Sequence, residues 1–272
     1  RGASTPLMAP PRVRILPLDC TLDQFRTAWD SSHCVLLRKP KRETRASSSS
    51  SSSSIAPRFF GGTRAVLSGH SAELEGSFTV ENGAKYSSKK RKFDGDHPNS
   101  AAALLGGSAS LPDGSYYCSL VVSRKPKLLA ALVQSGDFAP PCFASSRVQQ
   151  ESALWFFVGR NSGSDALCGR PPHTDEVHNE GTYHRQLEGC KEWTLRPTEE
   201  LTRRLGGRQR AGDEEAASTI VRCECGDVLC VSTRDWWHST RLPPAAGEGG
   251  GVSVSVAREF NLRREEEEEE EE

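Results

Sequence analysis

His173 and Asp175 stand two residues apart, and Trp236-Trp237-His238 follows at 238 − 173 = 65 residues from the first histidine. Two imidazoles and one carboxylate are the ligand set of the facial triad that holds non-haem Fe(II) and leaves coordination positions open for substrate and oxygen. On a β-strand an H-x-D triplet turns both side chains to one face, because side chains alternate with period 2. His238 must then arrive on a distant strand that folds back beside the first, and the separation suits a strand several hairpins later. A lone histidine is ordinarily a surface or core residue, and His33, His70 and His97 are read that way. His178, five residues from His173, falls on the opposite face of such a strand. The metal reading belongs to His173, Asp175 and His238 as a set.

The elements that must position this set are short strands. After Leu154 the chain alternates brief apolar runs with Gly, Pro and polar turns, interrupted by one helical stretch at 198–205. That spacing indicates an all-β barrel or sandwich. Upstream, Val13-Arg14-Ile15 reads as a strand. Asp19 or Thr21 caps a helix carrying Leu22, Phe25 and Trp29 on one face. Cys34-Val35-Leu36-Leu37 is a compact apolar strand. Strands are also expected at 76–80, 116–122 and 154–159, and a short helix at 127–134. The remainder of 58–110 shows only weak patterning. Eight consecutive serines at 47–54 cannot bury apolar area, and eight glutamates at 265–272 repel one another. Both are expected to lack fixed structure.

The 272 residues are 35% hydrophobic, enough to bury a core, and the net charge of −1 gives no argument for a nucleic-acid or membrane partner. No apolar run approaches the ~20 residues of a membrane helix. No secretory signal pattern is present, although a chain that begins at Arg1 leaves room for an upstream start. Nine scattered cysteines include no C-x-x-C, which gives little support for structural zinc and favours reduced thiols in an intracellular protein, nuclear or cytoplasmic. Cys225 and Cys230, flanking an expected strand, are read as small buried hydrophobes. Lys89-Lys90-Arg91-Lys92 is equally a nuclear import signal or a solvated loop, and it lacks the interleaved aromatics of a nucleic-acid surface.

Lys191 calls for its own weighing. A strand lysine is usually solvated, but this one sits between Gly189 and Trp193. Thr182 and His184 share a parity that Lys191 does not. Lys191 joins them on one face only if a turn or bulge intervenes, and Gly189 is the expected place.

The flanks carry a family resemblance. After H-x-D come Gly189-Cys190-Lys191-Glu192-Trp193-Thr194-Leu195-Arg196-Pro197, Gly226-Asp227-Val228-Leu229, Trp236-Trp237-His238, and the alternating Val252-Ser253-Val254-Ser255-Val256-Ala257. This order resembles the JmjC and cupin-like (factor-inhibiting-HIF type) Fe(II)- and 2-oxoglutarate-dependent oxygenases, specifically from about Leu154 to Phe260. The resemblance implies a mainly β, double-stranded β-helix (jelly-roll) fold with a few flanking helices. Residues 1–123 would be an N-terminal flanking region with a disordered Ser-rich loop at 40–56, residues 124–262 the catalytic core, and 263–272 a disordered acidic tail. It implies Fe(II) on His173, Asp175 and His238, with 2-oxoglutarate as cosubstrate. Lys191 would pair with the distal carboxylate, Tyr117 rather than Tyr116 would assist it, Thr182 would offer a hydroxyl, and His184 would face the cosubstrate or lie behind the ligands. Ala257 stands where the family's asparaginyl hydroxylase has an asparagine, so the substrate assignment is not carried over. The implied activity is hydroxylation of a protein or RNA substrate. The alternatives are a protein-lysine demethylase or, in another class, a non-catalytic cupin-like binding or scaffold protein. No membrane partner is expected, and oligomeric state is left open.

Overall fold

A computed structural model of the chain describes residues 11–39, 59–81, 98–106, 110–136, 138–206, 218–245 and 251–263. The serine run, Lys89-Lys90-Arg91-Lys92, His97 and the terminal glutamates lie outside the described residues. In chain order the elements are β1 (Arg14–Pro17), α1 (Leu22–Ser32), β2 (Cys34–Arg38), α2 (Arg64–Gly69), α3 (Ser71–Leu74), β3 (Thr79–Val80), α4 (Ala101–Leu105), β4 (Tyr116–Val122), α5 (Pro126–Ser135) and β5 (Val148–Gln150). There follow β6 (Leu154–Arg160), β7 (Leu167–Cys168), β8 (Gly181–Pro197), α6 (Glu199–Arg204), β9 (Thr219–Glu224), β10 (Val228–Val231), β11 (Trp236–Leu242) and β12 (Val252–Leu262). Among the described residues no helix is long and apolar enough to cross a membrane.

Local chemistry fixes the helix ends. Thr21 Oγ1 accepts from Gln24 N while Gln24 Oε1 accepts from Thr21 N, a reciprocal capping box. The helix then buries Leu22, Phe25, Ala28 and Trp29 and stops at His33, whose φ of 55° turns the chain into β2. Thr198 caps α6 with a single side-chain bond, its Oγ1 accepting from Leu201 N.

The strands form a jelly roll, and β8 is its pivot. The first half of β8 pairs with β10 and β12, and the second half pairs with β11 and β9. Counting β6, β7, the two halves of β8, then β9 to β12 as eight successive segments, one sheet takes segments 6-3-8-1 (β10-β8-β12-β6). The other takes 2-7-4-5 (β7-β11-β8-β9). This order, with sequence neighbours on opposite sheets except for the hairpin of segments 4 and 5, is the double-stranded β-helix. β1 and β2 extend the first sheet beyond β10, and β4 and β3 extend it beyond β6. The fold is mainly β with a few flanking helices.

One irregularity decides which side chains face inward. Val254 pairs with Glu188 and Ser255 with Gln186, so Leu187 has no partner on β12. This extra residue reverses the side-chain alternation along β8. Thr182 and His184 before it, and Lys191 and Trp193 after it, line one cavity. The shift lies at Leu187 rather than at Gly189, which instead takes the left-handed φ of 59° where β8 crosses between sheets.

Three expectations need correction. The strand expected at 76–80 is reduced to Thr79–Val80, because Glu75–Ser77 closes a 3-10 turn through Phe78 N to Glu75 O. Ser77 then bridges instead of pairing: its Oγ donates to Leu74 O and accepts from Val121 N. The weakly patterned region holds α2, α3 and α4, each shorter than two turns, so no helical period registers in the sequence. Their apolar residues Leu67, Leu74, Ala101, Leu104 and Leu105 pack with β4, β6 and β12 in one core cluster. Cys230 lies within β10 and is buried, but Cys225 is exposed, its thiol directed to Leu187 O in the turn before that strand.

Candidate metal centre

Pro171 and Pro172 precede His173, and neither offers an N–H, so regular strand pairing is lost there. The H-x-D triplet therefore does not lie in a continuous strand. It is held at two points. His173 and His238 form an isolated bridge, His173 N donating to His238 O at 3.1 Å and His238 N to His173 O at 2.9 Å. Asp175 N donates to Thr233 O at 3.0 Å. His238 itself rides on β11, paired with Leu195 of β8.

These contacts aim the side chains at one point. The imidazole centroids of His173 and His238 are 4.3 Å apart. Each Nε2 lies 3.5 Å from a different oxygen of Asp175. All three ligand atoms fall within 4.8 Å of one another. The opposite ring nitrogens face backbone carbonyls, His173 Nδ1 to Pro171 O at 2.8 Å and His238 Nδ1 to Trp236 O at 3.2 Å. A carbonyl accepts only, so each Nδ1 carries a proton, and in the neutral ring it is Nε2 that presents the lone pair. That tautomer is the one a metal requires, with the second nitrogen anchored behind it. Burial and the neighbouring His173 depress the His238 pKa against the opposing pull of Asp175, which favours the neutral, ligating ring. The donor set fits a divalent metal ion.

The metal cluster lies in the wall of a cavity of about 410 Å³ between the two sheets. Lys191 is at its inner wall, 1% exposed. Its Nζ donates to Ser255 Oγ at 2.7 Å and Tyr117 Oη at 3.4 Å, and it lies 4.8 Å from the Trp193 ring centroid and 5.0 Å from that of Phe157. No carboxylate among the described residues forms an ion pair with it. Burial lowers its pKa to about 8. Tyr117 lines the same wall, its phenol pushed up by burial and so kept protonated, whereas Tyr116 turns into the core and donates to Pro112 O. Thr182 and His184 line the cavity too, and burial pushes the His184 imidazole well below its usual pKa. His178 is exposed, apart from the cluster. His33 instead pairs with Asp235 at 3.3 Å.

Three further wall residues were not expected from the sequence. Trp193 shares the parity of Lys191, and that was the available signal. Glu81 and Arg170 are joined side by side, Arg170 Nε to Glu81 Oε2 at 2.5 Å, with Ser119 Oγ donating to the other carboxylate oxygen. A pair so far apart in the chain leaves no local pattern to find.

No protein-family model matches the chain. No curated protein matches it. Two solved structures of Escherichia coli YcfD resemble it. One covers 74% of this chain at 15% identity with a TM-score of 0.40. The other, described as a ribosomal oxygenase, covers 93% at 13% identity with a TM-score of 0.41. The chain spans about half the length of YcfD in these two structures, 46% and 54%. The jelly-roll order given above stands on the chain's own strand register.

Proposed function

We propose that the protein is an Fe(II)- and 2-oxoglutarate-dependent oxygenase that hydroxylates a protein or RNA substrate. The observation that carries this reading is one cavity with a three-ligand metal cluster and a buried ammonium that forms no ion pair with a carboxylate of the described residues. A site that keeps an uncompensated cation beside a metal cluster suits an anion that also chelates, and 2-oxoglutarate has that form. Iron and 2-oxoglutarate together supply the oxidising chemistry, converting O2, cosubstrate and a C–H bond into succinate, CO2 and an alcohol.

The chain's own residues orient and shield. His173, Asp175 and His238 would hold the metal ion, and a three-ligand set of this kind leaves coordination positions for other ligands. Lys191 and Tyr117 receive the far carboxylate, the ammonium supplying charge and the phenol a neutral donor. Thr182 adds a hydroxyl on the same wall. Phe157 and Trp193 line the cavity with apolar surface that excludes water and strengthens these charge contacts. Ala257, small and at the cavity wall, leaves room for substrate.

The test is anaerobic addition of 2-oxoglutarate to Fe(II)-loaded protein, followed by the metal-to-ligand absorbance band, and then succinate release across a panel of peptides and RNAs. Absence of both the band and any 2-oxoglutarate affinity refutes the proposal. Formaldehyde appearing in step with succinate identifies demethylation of an N-methyl group instead.

A further inference from the structure

The segment from Cys168 to His173 brings the first histidine to the metal cluster. Its near end is held to β11, where Arg241 pairs with Cys168 and Gly169 N donates to Thr240 O at 2.8 Å. Its far end is the bridge between His173 and His238. Between them Pro171 and Pro172 have no N–H to give to a ladder, and their rings fix φ. Arg170 spans this gap with its side chain. Its guanidinium is bidentate on Glu81, Nε to Oε2 at 2.5 Å and Nη2 to Oε1 at 3.2 Å.

Glu81 is fixed from behind. Its backbone N–H donates to Tyr117 O at 2.7 Å, extending the β3–β4 pairing by one residue, and Ser119 Oγ donates to its Oε1 at 2.5 Å. Its side chain is 3% exposed, against 33% for that of Arg170. A carboxylate so buried needs its charge met, so it draws the guanidinium to one place. Arg170 is joined to Pro171, whose carbonyl accepts from His173 Nδ1 at 2.8 Å. As the residue before a proline, Arg170 is itself biased to extended backbone. A stiff path therefore runs from β4 through Glu81, Arg170 and Pro171 O to the His173 ring, and it sets where Nε2 points.

We propose that Glu81 and Arg170 are positioning residues for the metal site: the pair locks the His173 imidazole in its ligating orientation, acting through Pro171 O rather than as ligands. This rests on the metal-cluster reading above and adds to it two residues outside the ligand set. A purely electrostatic action of the pair has a different sign. Loss of the Glu81 charge alone leaves a guanidinium uncompensated and weakens a divalent cation, whereas loss of the Arg170 charge tightens it. Loss of position weakens the cation in both cases.

The experiment titrates Co(II) into the full chain and follows its visible d–d bands, which report coordination geometry as well as occupancy. Glu81→Gln keeps the shape of the side chain, and Arg170→Gln removes the fork. Each weakens Co(II) by about 10-fold or more and shifts the bands. The double variant loses no more than the weaker single one, because the path is broken once. Arg170→Lys keeps the charge but not the fork, and it stays weakened. Glu192→Gln breaks another ion pair, to Arg241 outside the cavity, and leaves affinity and bands unchanged. Opposite changes of affinity in the two glutamine variants, unchanged affinity and bands in both, or an equal change in Glu192→Gln overturns the proposal. Should a glutamine variant fail to fold in a thermal melt, Arg170→Lys decides alone, and wild-type affinity and bands in it overturn the assignment. Failure of the underlying reading looks different: wild-type protein then binds no Co(II), or His173→Ala binds it as tightly as wild type, and the role of the pair falls with it.

Discussion

Replacing Lys191 by methionine separates what the lysine does for the fold from what it does for a ligand. Its pKa falls from the usual 10.5 to about 8, chiefly through burial. At pH 7 the charged form therefore costs the folded state about 3 kcal/mol. Methionine removes that cost but leaves Ser255 Oγ and Tyr117 Oη short of one partner each, at about 0.5–1 kcal/mol apiece because each hydroxyl can still donate. The net effect is a gain of about 1–2 kcal/mol, a Tm rise of about 2–8 °C for a chain of this size. The pH dependence has a definite sign. The folded pKa lies below the unfolded one, so between pH 8 and 10.5 the unfolded chain binds more protons and wild-type stability rises with pH. The methionine variant lacks that rise. Ligand affinity moves the other way: a buried carboxylate deprived of its cation loses about 3–5 kcal/mol, at least about 100-fold in Kd. In the wild type, affinity falls as pH passes about 8, where the free ammonium loses its proton. Thermal melts across pH and calorimetric titration of 2-oxoglutarate into Mn(II)-loaded protein measure both effects. A variant that is less stable than wild type and binds equally well makes Lys191 a structural cation and refutes the reasoning.

Removing any one metal-cluster side chain (His173→Ala, Asp175→Ala or His238→Ala) abolishes binding of the single Mn(II) or Fe(II) per chain; elemental analysis after gel filtration checks this, and full stoichiometry in all three variants contradicts it. Gly181→Ala places a Cβ 2.8 Å from Trp29 Cζ2 and 2.9 Å from Phe260 Cζ, two buried rings, and costs about 1–3 kcal/mol in urea unfolding. An unshifted midpoint there would mean that the α1–β8 packing yields freely. Thr21→Ala loses the capping box and about 1 kcal/mol, and Thr21→Ser recovers most of it in the same assay.

The sequence was most legible where a local rule operates. The Thr21 cap and the Leu22, Phe25, Trp29 face follow from helical spacing, and α1 has that form. The strand at 116–122 and helix at 127–134 follow from apolar runs, and β4 and α5 cover them. The eight-segment jelly roll was less legible, because strand partners in it are set by long-range register that no single strand encodes. Lys191 lay between these cases. Alternation alone requires an irregularity between His184 and Lys191, yet it does not say which residue is extra. Leu187 takes that place because its side chain joins the core cluster beside Leu120 and Val256, while Gly189 supplies the left-handed turn between the sheets. His173 and Asp175 depend on the proline pair before them, which replaces a strand with two isolated backbone contacts.

Two cavity residues, Lys191 and His184, are buried at a cost that the fold does not itself offset. Away from the cavity Asp235 meets Arg204, Ser232 and His33, and on the cavity wall itself Glu81 meets Arg170 and Ser119. There a lysine is buried against hydroxyls and aromatic faces, and His184 is buried with both ring nitrogens lacking a hydrogen-bond partner among the described residues. Each lowers the stability of the chain by itself. A fold can carry such costs because a ligand that binds only the folded chain lowers its free energy in turn. The same register shift makes both costs meet: without the extra residue at Leu187, Lys191 would emerge on the opposite face of β8 from His184. The bulge is therefore what brings two separate polar burials to one cavity wall, where the proposed anion would bind.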